Sequence, residues 1–172
     1  MQLFLKTPPI QEPLTLEEVK TYLRVSSDQE EEYLSSLITS ARAYVENVTG
    51  RALLKQQWLM QIKPPYPRAS PLIKCERENL EIDLPYPPLL EVESVKTGMQ
   101  EIPFMIEENK ALLPSSFWNK EITMTYWAGY GQTPDSLPPD LKLAVLMATR
   151  FFYDHQKVDL PLLRPFKVFR IS

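Results

Sequence analysis

The sequence is poor in the residues from which most small catalytic and cofactor sites are built. Its 172 residues include one histidine, one cysteine and four glycines. One cysteine cannot form an internal disulfide or a multi-cysteine metal site, and one histidine cannot form a multi-histidine metal site. The scarcity of glycine argues against a loop that cradles phosphate. We therefore expect no catalytic residue, no cofactor and no metal.

Each residue that could carry chemistry has a simpler structural interpretation. His155 lies near the end of a predicted helix, where the helix dipole favours positive charge. Cys75 has no base beside it in the sequence that would activate it as a nucleophile. The acidic residues 30–32 stand at a predicted helix start, where the same dipole stabilises negative charge. Gly129 and Gly131 lack the Lys-Ser/Thr pair of a phosphate-binding loop.

Basic runs and long apolar runs are also absent. The formal net charge is −3, and the lysines and arginines are scattered along the chain. Tight binding of nucleic acid needs clustered positive charge, so we expect no specific binding of double-stranded DNA, although DNA passing close by is not excluded. Residues 1–10 have no signal-peptide pattern, and no apolar run approaches the length of a membrane span. We expect no membrane contact and an intracellular location.

Residues 14–50 have the pattern of two helices. Thr15 and Glu18 have the spacing of a capping box, and Ser27 and Glu30 repeat that spacing before an apolar helical face. Gly50 ends the pattern as a candidate C-terminal cap.

After Gly50 the spacing of apolar residues changes from a helical period to that of strands, and residues 53–130 form a predicted β-rich insertion. Six short runs in this region have strand character, several with alternating apolar and polar residues: 58–62, 80–84, 92–95, 104–106, 111–113 and 122–127.

The last predicted helix covers residues 138–157, with Pro138 or Pro139 at its first position. It is apolar on more than one side, and Leu143, Met147 and Phe151 belong to a second apolar face. Either the β-rich insertion or a neighbouring subunit is expected to cover this face, and we assign these three residues to a contact between subunits. The 17 prolines of the chain cluster partly at 161–165, which predicts an extended tail over residues 158–172. We expect deletion of residues 160–172 to spare folding.

These patterns together predict a single α+β domain over residues 1–172. It consists of a small helical bundle, a β-rich insertion between the second and last long helices, and an extended C-terminal tail.

Two stretches, in their order along the chain, resemble a known family. The first is residues 14–25 with 41–51, and the second is residues 122–131 followed by Leu137-Pro138-Pro139-Asp140-Leu141-Lys142. They resemble the head–tail connector (adaptor) proteins of tailed bacteriophages, prophages and gene transfer agents. The resemblance covers the chain from about residue 14 to its end.

The resemblance implies a structural virion protein at the head–tail interface. It implies a homo-oligomeric ring of about twelve copies below the portal protein, which extends the DNA channel and docks a stopper or tail-completion protein. It also implies that the tail binds the portal, and the residues for this contact are Leu162, Leu163, Arg164, Pro165, Phe166, Phe169 and Arg170. Two alternatives stay open: a tail-completion or stopper protein, and a small ligand-binding or enzyme domain whose site lies in the insertion.

Overall fold

The computed structural model describes residues 1–66, 72–76 and 78–168. These residues contain three α-helices and nine strands in two antiparallel sheets, so the predicted α+β class is confirmed. The helices are α1 (Leu16–Leu23), α2 (Glu31–Thr49) and α3 (Pro139–Tyr153). The strands are β1 (Gln2–Thr7), β2 (Gln56–Ile62), β3 (Ile73–Glu76), β4 (Asn79–Asp83), β5 (Leu89–Thr97), β6 (Gln100–Glu101), β7 (Met105–Glu107), β8 (Lys110–Pro114) and β9 (Ile122–Ala128). None of the described helices has the length and apolar character needed to cross a bilayer.

The described residues divide into two compact units. One unit, the β unit, contains residues 1–8 and 55–129, and the other, the helical unit, contains residues 9–54 and 130–168. The strands therefore share a unit with the N-terminal residues, while the three helices pack together with the C-terminal segment.

The β unit contains a five-stranded sheet in the order β1-β2-β9-β5-β6 and a four-stranded sheet in the order β3-β4-β8-β7. All six predicted strands are present. Strands β1, β3 and β6 were not predicted. The side chains of Met60, Met124 and Tyr126 are fully buried in this unit. The Tyr126 hydroxyl donates to the Pro85 carbonyl at 2.9 Å, which satisfies the polar end of a buried ring.

The first helix begins as its sequence predicts. The Glu18 amide donates to the Thr15 hydroxyl, and the Glu18 carboxylate accepts from the Thr15 amide, which completes the capping box. Leu14 and Val19, on either side of this turn, are both buried. The cap and the apolar contact together define where the chain enters α1.

The second predicted capping box is wrong. The Ser27 hydroxyl accepts from the Gln29 amide, and Asp28–Glu30 form a 3₁₀ turn. Helix α2 begins only at Glu31, without a side-chain cap. The hydroxyl thus bonds to the amide two residues ahead, in the 3₁₀ turn, and the reciprocal pair with Glu30 is not formed.

Lys20 forms two ion pairs at the start of α2. Its ammonium group lies 2.6 Å from the Asp28 carboxylate and 2.8 Å from the Glu31 carboxylate. The two ion pairs connect α1 to the beginning of α2.

Helix α2 ends at Gly50, as predicted, with a φ of 70° that glycine adopts without strain. Glu46, one turn earlier, is buried and uses both carboxylate oxygens. One accepts from Arg42 at 2.9 Å, and the other accepts from the Leu53 amide at 2.9 Å. The chain that leaves the helix is therefore tied back to its last turn.

Helix α3 begins at Pro139, one of the two predicted positions, but it ends earlier than predicted. Its last residue is Tyr153, because His155 adopts a φ of 53° in the left-handed region. The Gln156 amide then donates to the Phe151 carbonyl, which closes the end of the helix.

The C-terminal segment is not extended. Pro161–Phe166 form a 3₁₀ helix that packs against α2 and α3. Leu160 and Leu163 are buried in the helical core, so the gain from burying these side chains outweighs the extended preference predicted from the prolines. A proline φ near −65° also fits a 3₁₀ helix. Deletion of residues 160–172 would remove part of the core, so the expectation that it spares folding is wrong.

We predict that Glu46→Leu lowers the free energy of unfolding by about 3 kcal/mol, because it leaves the buried Arg42 guanidinium with less compensation. Urea denaturation followed by circular dichroism would measure the change. Glu32→Leu, on the exposed face of the same helix, is the matched control and should change stability by less than about 0.5 kcal/mol. Equal effects of the two substitutions would show that the buried Arg42–Glu46 pair contributes no more to stability than an exposed residue does.

Candidate functional site

The residues considered above for catalysis or metal binding are exposed or have a structural partner. Cys75 is exposed on β3, and His155 is exposed in the turn after α3. The Glu30 carboxylate accepts a hydrogen bond from the Tyr153 hydroxyl at 3.1 Å, which gives it a structural partner. Among the described residues, no three His, Cys, Asp or Glu side chains lie close enough to hold a metal ion.

The helical unit has an open groove between α1 and α3. Its volume is about 610 Å³. It is lined by Leu14, Glu17, Glu18, Thr21, Pro139, Lys142, Leu143 and Leu146. Leu143, in the middle of α3, is 46% exposed. We call this feature the α1/α3 groove.

Charged groups lie at the rim of the α1/α3 groove. Lys142 donates to the Glu18 carboxylate at 2.7 Å, which links α3 to α1. The hydrogen bond from Lys142, together with the one from the Thr15 amide, holds the pKa of the Glu18 carboxyl below its usual value. An apolar floor within a charged rim is the usual composition of a protein–protein contact.

The structure separates the three residues predicted to contact another subunit. Only Leu143 is exposed, and it lines the α1/α3 groove. Met147 and Phe151 are partly buried and pack against the core of their own unit. The apolar second face of α3 is real, but much of it is covered within the subunit.

The predicted portal-binding residues also differ in exposure. Leu163 is fully buried, Leu162 and Phe166 are partly buried, and Arg164 and Pro165 are exposed. Phe169 and Arg170 lie outside the described residues.

Two hydrogen bonds fasten this segment to the end of α2. The Arg51 guanidinium donates to the Phe166 carbonyl at 2.7 Å. The Val168 amide donates to the Thr49 carbonyl at 2.8 Å. Sequence reasoning missed this docking, because no local signal connects residues that lie more than 100 positions apart.

A second groove, of about 400 Å³, lies in the β unit beside β7. Pro103, Phe104, Met105 and Leu112 contribute apolar lining, and Glu107 is one of its carboxylates. Its polar lining residues are Glu78, Asn79 and Glu107, and the other six lining residues are apolar.

Comparison with known proteins identifies the family. The sequence profile of the head completion protein family matches residues 12–159, which is more than half of the chain. No curated protein gives a significant match.

Three solved structures share the fold. A chain in the neck of an empty gene transfer agent particle, computed with C6 symmetry, has a TM-score of 0.71 at 18% identity, and the match covers 100% of this chain and 98% of that chain. A chain in the virion of a native gene transfer agent particle has a TM-score of 0.73 at 17% identity, with the same coverage. A chain in the neck of a native particle, computed with C12 symmetry, has a TM-score of 0.73 at 16% identity, again with the same coverage. The profile match therefore identifies the chain as a member of the head completion protein family.

Proposed function

We propose that the chain is a structural head–tail connector (adaptor) subunit. It assembles into a ring below the portal, extends the DNA channel and offers a docking surface for tail or stopper proteins. The observation that carries this proposal is the match to the head completion protein family over residues 12–159. The α1/α3 groove supports it, because an apolar surface of this kind is typical of a protein that functions by contact with other proteins.

The ring is supported by the printed symmetry of the similar neck structures. Two of them were computed with C6 and C12 symmetry, which fits a ring of about twelve copies. A ring of identical subunits needs a heterologous contact, in which two different surfaces of the same chain meet. The α1/α3 groove, with the exposed Leu143, is our candidate for one of these surfaces.

The portal contact is assigned to the C-terminal segment. Arg164 and Pro165 are exposed on the 3₁₀ helix, and the partly buried Leu162 and Phe166 flank them. In this proposal Leu163 acts as the internal anchor of the segment, because its side chain is fully buried. Phe169 and Arg170 complete the predicted contact.

The proposal includes no catalytic step and no specific binding of DNA. The net charge of −3 is compatible with a channel that lets a polyanion pass without holding it. The partners are therefore other structural proteins: copies of this chain, the portal, and the stopper or tail-completion protein.

We predict that particles made without this protein contain packaged DNA but carry no tails, because the docking surface for the tail is missing. Electron microscopy of particles from a strain lacking the protein, with a complemented strain as the control, would measure the tailed fraction. Normal tailed particles in the deletion strain would contradict the proposed function.

We predict that Leu143→Glu leaves the subunit folded but prevents its incorporation into particles, because a buried contact cannot accept an unpaired carboxylate. Incorporation would be measured by quantifying the protein in purified particles. Ile106→Glu, at a side chain of similar exposure on β7, is the matched control and should incorporate normally. Normal incorporation of the Leu143 variant would exclude the groove from assembly.

We predict that removal of residues 169–172 leaves the melting temperature unchanged and weakens attachment to portal-containing heads. This truncation keeps the buried Leu160 and Leu163, so it separates binding from folding. Co-sedimentation with heads would measure attachment, with the full-length protein as the control. Full attachment of the truncated protein would refute the role of Phe169 and Arg170.

A further inference from the structure

We propose that neighbouring copies in the ring make a second contact, separate from the one at the α1/α3 groove, through the two opposite edges of the five-stranded sheet, with β1 of one copy against the outer edge of β5 in the next. This inference rests on the proposed ring. The occupant of each edge is therefore a second copy of this chain, and the contact is heterologous, as a closed ring requires.

Both edges are open along most of their length in one copy. Strand β1 pairs with β2 and has no second neighbour among the described strands. Strand β6 pairs only with Lys96 and Thr97 at the end of β5, so residues 90–94 have no described strand on their outer side. Unpaired edges of this kind are sites at which another strand can add.

Exposed apolar side chains lie on both edge strands. Phe4 is 47% exposed and Leu5 is 43% exposed on β1, and Leu90 is 45% exposed on β5. A contact between the two strands would cover part of this apolar surface.

The charges of the two edges are complementary. Lys6 is the only charged side chain among residues 1–11, and residues 89–95 contain Glu91 and Glu93 but no basic residue. Lys6 and Glu91 are exposed and form no ion pair within the described part of one copy. Opposite charge across the contact favours β1 against β5, whereas β1 against β1 would bring two lysines together.

The strand directions fit the same arrangement. Strands β1, β2, β9 and β5 are successively antiparallel, so β1 and β5 run in opposite directions. A copy displaced by one position around the ring therefore brings β1 to β5 with the polarity of an antiparallel pair. The sheet would continue from copy to copy, and the direction of each strand would remain opposite to that of its neighbour.

Bulges in both strands limit the length over which regular backbone hydrogen bonds can form between the two copies. The register shifts near Lys6 in β1 and at two places in β5, between Leu89 and Glu91 and between Val92 and Ser94. We therefore expect few backbone hydrogen bonds, with the rest of the contact made by side chains on both edges.

Charge reversal tests the pairing. We expect Lys6→Glu and Glu91→Lys each to lower the yield of tailed particles about tenfold, because like charges then face each other across the contact. The double variant restores the opposite charges and should recover the yield. Lys74→Glu, the same change at an exposed position on β3, is the matched control and should have no effect. Thermal melts of the purified variants would show that each one folds.

Hydrogen exchange of the unmodified protein gives a second readout that does not depend on any variant. Amides in residues 2–5 and 90–94 should exchange more slowly in assembled particles than in the free subunit. Normal yields from both single variants, no recovery in the double variant, or unchanged exchange at these edges would overturn the pairing. New protection at β7 in place of residues 90–94 would also overturn it. These results would leave the connector function standing, which fails only if particles without the protein keep their tails.

Discussion

The buried carboxylate of Glu46 is the interaction on which the arrangement of the helical unit depends. It neutralises Arg42 inside the protein and at the same time accepts the Leu53 amide, so it determines how the chain leaves α2. The C-terminal segment docks on the same helix end through Thr49 and Arg51. One helix terminus therefore organises both the exit towards the strands and the return of the last residues, and a buried charge is tolerated there because its lone pairs are used.

Local signals predicted the parts of the fold that local chemistry controls. The capping box at Thr15 and the glycine cap at Gly50 were both correct, because each depends on a few adjacent residues. The same logic failed at Ser27, where a shorter bond to Gln29 competes with the predicted box. It also failed at His155, since a left-handed residue other than glycine leaves little trace in the sequence.

Long-range packing was harder to predict, and the candidate site depends on it. The helical period correctly identified a second apolar face on α3, but it could not show that Met147 and Phe151 are partly covered within the subunit. The prolines at 161–165 suggested an extended tail, whereas the burial of Leu163 makes this segment a 3₁₀ helix. The residues of the α1/α3 groove come from α1, α3 and the segment before α1, and only tertiary structure brings them together.

The docking of the C-terminal segment has a mechanical consequence. A pull applied at Val168 would act first on the Val168–Thr49 and Arg51–Phe166 hydrogen bonds and then on the buried side chain of Leu163. These contacts would pass the tension to the end of α2, where the segment is fastened.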